Sequence, residues 1–194
     1  MNTLVLESNE LGEFPVDVYQ KLSNDRILFI CDDLTDSVAS DIVATLLLKD
    51  AEDSEKKITL FINSMGGDIR NALMIYDMMQ MIDSPIETVC IGFAMNEAVI
   101  ILAGGTPGMR LATKNASIAV SQLTSDWFIN SDLPNAKKML DLSMQDNKRM
   151  MDILAKCTGK TLKQVSKDFD RKVFMNSAQA VKYNLIDKVV KSNK

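Results

Sequence analysis

Two strand–turn–helix units follow each other in the middle of the chain, between Phe61 and Gly105. In the first unit, the apolar run Ile58–Ile62 predicts a strand that ends in the turn Asn63–Asp68. A helix pattern follows, because apolar residues recur there on one face: Ile69, Leu73, Tyr76, Met79 (or Gln80) and Ile82. In the second unit, Thr88–Ile91 predicts a strand, Gly92–Asn96 a turn and Glu97–Leu102 an apolar helix.

The flanking sequence continues the alternation of strands and helices. We predict a short helix over Asp17–Ser23, a buried strand over Arg26–Ile30 and a helix over Ser37–Leu48 with Thr35 or Asp36 as its N-cap. The polar run Lys49–Lys57 predicts a solvated connection. Beyond the central units, the pattern predicts a loop, two short strands and one long helix: Gly104–Gly108, Met109–Leu111, Ser117–Val120 and a helix opened by Ser131–Pro134 and ending at Thr158–Gly159. Periodicity alone supports an alternating α/β fold.

The two turns of the central units carry the candidate chemistry. Adjacent glycines, Gly66 and Gly67, permit a backbone conformation in which amide N–H groups point outward, which suits an anion or an oxyanion. The second turn presents residue 96 at a helix N-terminus, where a nucleophile would be exposed and electrostatically favoured. These turns are therefore the candidate site.

Composition narrows the class of protein. A chain of 194 residues with 46% hydrophobic and 25% charged residues is typical of one soluble α/β domain. The net charge of −4, with both signs interspersed, gives no indication of nucleic-acid binding. The apolar run Ala98–Ala103 is far too short for a membrane span, and Met1–Glu13 has no basic segment typical of a signal peptide. We therefore expect a cytoplasmic protein, or an organellar one whose transit peptide has been removed.

Three cysteines, Cys31, Cys90 and Cys157, have no histidine with which to share a metal. We expect them to be reduced thiols packed as small apolar residues, with Cys90 buried in the strand before the second turn. No metal and no cofactor are expected.

Several motifs resemble one family over about residues 15 to 190. They are INS-x-GG, IYD-x-MQ, CIG-x-A followed by LA-x-G, DVYQKL (Asp17–Leu22), TGKTLKQVSKD (Thr158–Asp168) and AVKYNLID (Ala180–Asp187). In order and spacing they are similar to ClpP, the proteolytic subunit of the ATP-dependent Clp protease. The resemblance implies a ClpP/crotonase-like spiral of strand–strand–helix units with a protruding long handle helix, in one domain over residues 1–194.

The resemblance also implies a division of that domain. Residues 1–14 form either a frayed terminus or an axial pore loop, and about 15–122 form the head. About 123–160 form the handle, and 161–194 return to the head. Leu123–Phe128 stands where the family has a proline and two glycines in a strand that pairs with substrate and joins two rings, so both properties are in doubt here.

The family is a serine protease with a Ser-His-Asp triad, and all three triad positions differ here. Asn96 occupies the position of the serine, Ser121 that of the histidine and Lys172 that of the aspartate. The chain contains no histidine at all. A serine normally needs an adjacent base to attack a carbonyl, so ordinary proteolysis by this subunit is not expected. The backbone N–H groups of Gly67 and Glu97 match the family's oxyanion-hole donors, although the Glu97 carboxylate would oppose an oxyanion.

Three classes of function follow from the resemblance. The first is an inactive ClpP-like subunit, in a heptameric ring paired with an active ClpP ring and served by an AAA+ unfoldase. The second is a homo-oligomeric chamber without proteolysis. The third is an enzyme: a weak peptidase using a Ser121–Lys172 dyad, or crotonase-like chemistry with Glu97 as base.

Overall fold

The computed structural model describes residues 4–9, 12–121 and 133–191, and it confirms the α/β class. In chain order the elements are β1 (Leu4–Asn9), β2 (Gly12–Asp17), α1 (Val18–Asn24), β3 (Ile27–Ile30), α2 (Asp36–Glu52), β4 (Ile58–Ser64), α3 (Ile69–Met81), β5 (Ile86–Met95), α4 (Ala98–Ala103), β6 (Arg110–Ala112), β7 (Ser117–Val120), α5 (Leu133–Thr158), α6 (Leu162–Arg171), β8 (Val173–Asn176), α7 (Ser177–Tyr183) and β9 (Lys188–Val189).

A mostly parallel sheet carries the site. Its main path runs β3-β4-β5-β6-β9, and all of these neighbours pair in parallel. The long strand β5 pairs with two different strands along one edge: residues 88–90 pair with β6, and residues 93–95 pair with β7. Strand β7 in turn pairs antiparallel with β8. The fork brings the ends of β4, β5 and β7 together, and the candidate site lies there.

Helix α4 is apolar on every side because it lies inside the hydrophobic core. All six residues of α4 are buried, because it lies beneath the sheet and contacts α3, α5, β4, β5 and β7. A helix that is hydrophobic all round is stable only in such surroundings. Strand β4 alternates buried and partly buried residues, as a strand between two others with one face on the core should. None of the described helices is long and apolar enough to cross a membrane.

Three of the expected boundaries are wrong. Strand β5 continues to Met95, so the predicted turn Gly92–Asn96 shrinks to Asn96 and Glu97, and α4 begins at Ala98 rather than Glu97. The side chain of Asn63 allows this extension, because its Oδ1 accepts a hydrogen bond from the Phe93 N–H where the β4–β5 register shifts. Helix α2 continues through Glu52, so Lys49 belongs to the helix and is buried rather than solvated.

Two further expectations, one on the strand β3 and one on the cysteines, are wrong. Arg26 lies outside β3 with a positive φ of 63°, and its guanidinium donates to the carbonyls of Lys49, Lys56 and Lys57. The strand that follows alternates partly buried and buried residues instead of being fully buried. Cys90 is buried as expected, but Cys31 is exposed and so is not packed as a small apolar residue.

Residues 4–9 and 12–17 form two paired strands ahead of α1. Strands β1 and β2 pair antiparallel from Leu4–Asp17 to Asn9–Gly12, and an ion pair of 3.0 Å joins Glu7 to Lys21 of α1. The axial-loop role of this segment stays a prediction.

The long helix is present, and the C-terminal elements were not expected. Helix α5 has 26 residues, which is about 39 Å at 1.5 Å per residue. Its first half is largely exposed, with Leu140, Leu142 and Met144 each over 40% accessible, whereas Met150 and Leu154 pack into the core. The expected N-cap region Ser131–Asp132 and the segment Leu123–Phe128 lie outside the described residues, and the division into head and handle stays a prediction.

Helix α6 begins with a capping box that gives the first testable result. Thr161 Oγ1 accepts from the Gln164 N–H at 3.3 Å, and Gln164 Oε1 accepts from the Thr161 N–H at 3.0 Å. We expect Thr161→Ala to lower the free energy of unfolding by about 1 kcal/mol, because one helix donor loses its partner. Chemical denaturation checks this value. Thr45→Ala is the control, since that hydroxyl only back-bonds to the Asp41 carbonyl inside α2, and an equal loss there would contradict the capping argument.

Candidate functional site

The turn after β4 is built by glycines and held by a distant residue. Gly66 and Gly67 adopt φ values of 111° and 148°, which a side chain would disfavour. Ser64 Oγ accepts from the Gly66 N–H at 3.1 Å. Leu34 pairs with the turn through its backbone: its N–H donates to the Gly66 carbonyl at 2.9 Å, and its carbonyl accepts from Asp68 at 3.1 Å. The turn is therefore fixed from both sides.

Asn96 occupies the sharp turn between β5 and α4. Its φ is 51°, in the left-handed region that asparagine tolerates better than most residues. Its side-chain Nδ2 donates to the Met65 carbonyl at 2.7 Å, and its backbone N–H donates to the Ala119 carbonyl at 3.2 Å. Asn96 thus joins the glycine turn, through its side chain, to β7, through its backbone.

Ser121 meets Asn96 at the end of β7. Its hydroxyl donates to Asn96 Oδ1 in a short hydrogen bond, and the serine is 8% exposed. The structure therefore brings into direct contact two of the three positions that the resemblance matched to the triad. The contact gives the serine no base, because an amide oxygen does not accept a proton near neutral pH.

Lys172 lies near this pair but does not join it. The β7–β8 register pairs Val120 with Val173, and one further step would set Ser121 opposite Lys172. Lys172 ends α6 with a positive φ of 50°, and its side chain is exposed. Within the described residues, its side chain makes no hydrogen bond or ion pair. The Ser121–Lys172 dyad stays a prediction, and the Ser121 proton is directed elsewhere.

Glu97 is the residue whose carboxylate lies deepest in the site. It is 6% exposed, and its Oε2 accepts the Gly67 N–H at 2.9 Å. Burial raises the pKa of the Glu97 carboxyl; the N–H groups of Gly67 and of Glu97 itself lower this pKa, and the negative charge of Asp68 raises it further. The Gly67 N–H, one of the two backbone groups that the resemblance matched to oxyanion donors, therefore donates to this carboxylate.

This arrangement contains acceptors and amides but no proton-transfer pair. The chain has no imidazole, and within the described ranges no three or more His, Cys, Asp or Glu side chains are placed to hold a metal. Leu34 shapes the site and was missed by the sequence analysis, whereas Ser64 and Met65 lay inside the predicted turn but were given no role. Leu34 and Met65 act only through backbone groups, which leave no signal in side-chain patterns.

The pH dependence of stability tests the burial of Glu97. Because its pKa is raised in the folded protein, the protonated form contributes stability that is present below the ordinary value of 4.5 and is lost as pH rises through the folded pKa. We expect Glu97→Gln to lack this loss, so that its melting temperature gains on that of the unmodified protein as pH rises from about 4 to 7. A difference in melting temperature between the two proteins that stays constant across that pH range would contradict the burial of the Glu97 carboxyl. Glu55→Gln, at an exposed position, is the matched control.

One comparison with known proteins bears on this site. A family model described as Clp protease matches residues 10–193, which is nearly the whole chain.

Proposed function

Because the chain belongs to the Clp protease family, we propose that it is a catalytically inactive, ClpP-like subunit with a structural or regulatory role. The family implies a ring-forming oligomer that works with Clp ATPases. In this proposal the chain forms a heptameric ring, pairs with a ring of active ClpP and is served by an AAA+ unfoldase. We place it in the cytoplasm, since its three cysteines are free thiols, which is typical of a reducing compartment.

The contact between Ser121 and Asn96 carries the proposal of inactivity. A hydroxyl attacks a carbonyl only when a neighbouring group takes its proton, and here the Ser121 proton is directed to an amide oxygen. No histidine exists elsewhere in the chain to replace that acceptor. Loss of one triad member alone lowers kcat by several orders of magnitude.

The exposed half of α5 supports the proposal of assembly. Its apolar side chains Leu140 and Met144, four residues apart and therefore on one face of the helix, are exposed in the single subunit. A ring partner would bury them.

Restoring the nucleophile alone should not restore proteolysis. We expect Asn96→Ser to leave the hydrolysis of a fluorogenic ClpP peptide at the background rate, because the side chain at position 121 that contacts position 96 is a hydroxyl and not a base. The same substitution at an exposed position, Asn115→Ser, is the matched control, and an active ClpP is the positive control. A rate for Asn96→Ser well above that of both the unmodified protein and Asn115→Ser would overturn the inactive-subunit proposal.

Native mass spectrometry tests the regulatory role. The chain is measured alone and after mixing with an active ClpP from the same cell, and the peptidase rate of each mixture is recorded. A species of two heptamers containing both chains, with an altered peptidase rate, is the expected result. Closed homo-oligomers that never take up active ClpP would favour the homo-oligomeric chamber, and monomers under all conditions would contradict both.

A further inference from the structure

The carboxylate of Glu97 occupies the position in which the glycine turn would receive an anion. Its Oε2 lies 2.9 Å from the Gly67 nitrogen, and the side chain is almost wholly buried. The fit is close, because a β-carbon on Gly66 would collide with that same oxygen. The contact is therefore part of the packed turn and not a passing contact of a surface side chain.

The amides involved are the ones that would otherwise stabilise a substrate. An oxyanion-binding turn works by presenting backbone N–H groups to a negative oxygen in surroundings from which water is excluded. Glu97 presents its Oε2 to the Gly67 N–H, and its own backbone N–H lowers the pKa of the same carboxyl. It is covalently attached, so its local concentration exceeds that of any carbonyl that diffuses in.

We propose that Glu97 is a built-in occupant of this turn, an autoinhibitory contact that blocks hydrolysis independently of the missing nucleophile and base. This inference rests on the proposed inactive ClpP-like function and adds a second barrier to it. A substrate oxygen entering the turn would have to displace a hydrogen-bonded carboxylate and would meet the charges of both Glu97 and Asp68. Replacement of Asn96, Ser121 and Lys172 by triad residues would therefore not be sufficient for full activity.

A triad-restored background gives the kinetic test. The variant Asn96→Ser/Ser121→His/Lys172→Asp is compared with the same variant carrying Glu97→Ala, using a fluorogenic peptide. We expect the protein that keeps Glu97 to be slower by on the order of a hundredfold, comparable to the loss of one oxyanion donor. Equal rates would overturn the autoinhibitory contact while leaving the proposed function intact. Hydrolysis by the unmodified protein would instead overturn the proposed function.

An amide titration tests the contact in the chain as it exists, without relying on the folding of a triple variant. Among the eight glycines, only Gly67 and Gly105 follow another glycine. Labelling glycine with both ¹³C-carbonyl and ¹⁵N therefore selects two amide signals in a carbonyl-filtered spectrum, with Gly105 as an internal reference. We expect the Gly67 signal to shift with pH as one carboxyl titrates, at a midpoint above 4.5, and we expect Glu97→Gln to remove that shift.

A shift that arises from any other group would persist in Glu97→Gln, so the difference between the two proteins isolates Glu97. A Gly67 titration that is identical in both proteins, or absent from both, would overturn the proposal.

Discussion

Replacing Arg110 with methionine is expected to lower the free energy of unfolding by about 3–5 kcal/mol. The guanidinium is 5% exposed and donates to both carboxylate oxygens of Asp187, at 3.0 and 2.6 Å. It also donates to the carbonyls of Cys157 and Asn184, at 3.0 and 3.2 Å. One side chain therefore joins β6 to the ends of α5 and α7. Methionine fills similar volume but leaves a partly buried carboxylate and two carbonyls without this donor.

Thermal unfolding followed by circular dichroism measures the Arg110→Met effect. For a chain of this size, the expected loss lowers the melting temperature by roughly 6–20 °C. The control is Lys56→Met, which removes an exposed ion pair with Asp53 and should change stability by less than about 1 kcal/mol. Adding Asp187→Leu to Arg110→Met should recover part of the loss, because the unpaired charge is gone. A deficit no larger than that of Lys56→Met would contradict the structural role of Arg110.

The pH dependence separates the ion pair from simple packing. Burial acts to raise the pKa of the Asp187 carboxyl, but hydrogen bonds from Arg110 outweigh it and hold the pKa below the ordinary 3.8. A depressed pKa contributes stability that is present above 3.8 and is lost as pH falls through the folded value. The gap in melting temperature between the unmodified protein and Arg110→Met should therefore narrow in acid. A gap that is constant from pH 7 to pH 3 would assign the effect to packing alone.

Replacing Gly67 with alanine is expected to destabilise the protein by on the order of 2–4 kcal/mol, since strain and collision add. The residue has a φ of 148°, and an added β-carbon would lie 2.6 Å from the Leu34 nitrogen and 2.9 Å from its carbonyl oxygen. These are backbone atoms of another segment, so the collision cannot be relieved by a change of side-chain rotamer. Either the turn or the Leu34 segment has to move.

Gly159→Ala is the matched control for Gly67→Ala. Gly159 also has a positive φ, 70°, but a β-carbon there would meet nothing within 4 Å. That substitution therefore carries only the backbone strain, about 1 kcal/mol. Melting temperatures of the two variants give the comparison, and equal losses would show that collision with Leu34 contributes nothing.

The parts of the fold that follow from local order were predicted well. Strand β7 lies where its hydrophobic run placed it, and α4 lies within one residue of its predicted bounds. Helix α3 follows its periodicity, and α5 ends at Thr158 as the following glycine predicts. Helix α2 shows the limit of this reasoning. Its C-terminal turn carries charges, and Lys49 is buried because its Nζ pairs with Glu52 at 2.9 Å and its carbonyl accepts from Arg26. The pattern of charges around Lys49 does not predict its contact with Arg26, which lies 23 residues earlier in the chain.

The site divides in the same way. The absence of histidine is a covalent fact, so residue types alone show that this chain has no Ser-His-Asp triad. The glycine pair likewise indicates an amide-presenting turn from residue type alone. These features are local, because they depend on residue type and on a few neighbouring backbone angles.

What fills that turn depends on the packing of segments that are distant in the chain. The Ser121 proton is directed to Asn96, 25 residues away, and Glu97 reaches the Gly67 amide across 30 residues. Whether a carboxylate opposes an oxyanion from solvent or occupies its place depends on the relative position of two strand ends. That position is set by the β4–β5–β7 pairing and by the Leu34 backbone. Hydrogen-bond geometry between distant segments is a property of their packing, and the order of residue types along the chain does not contain it.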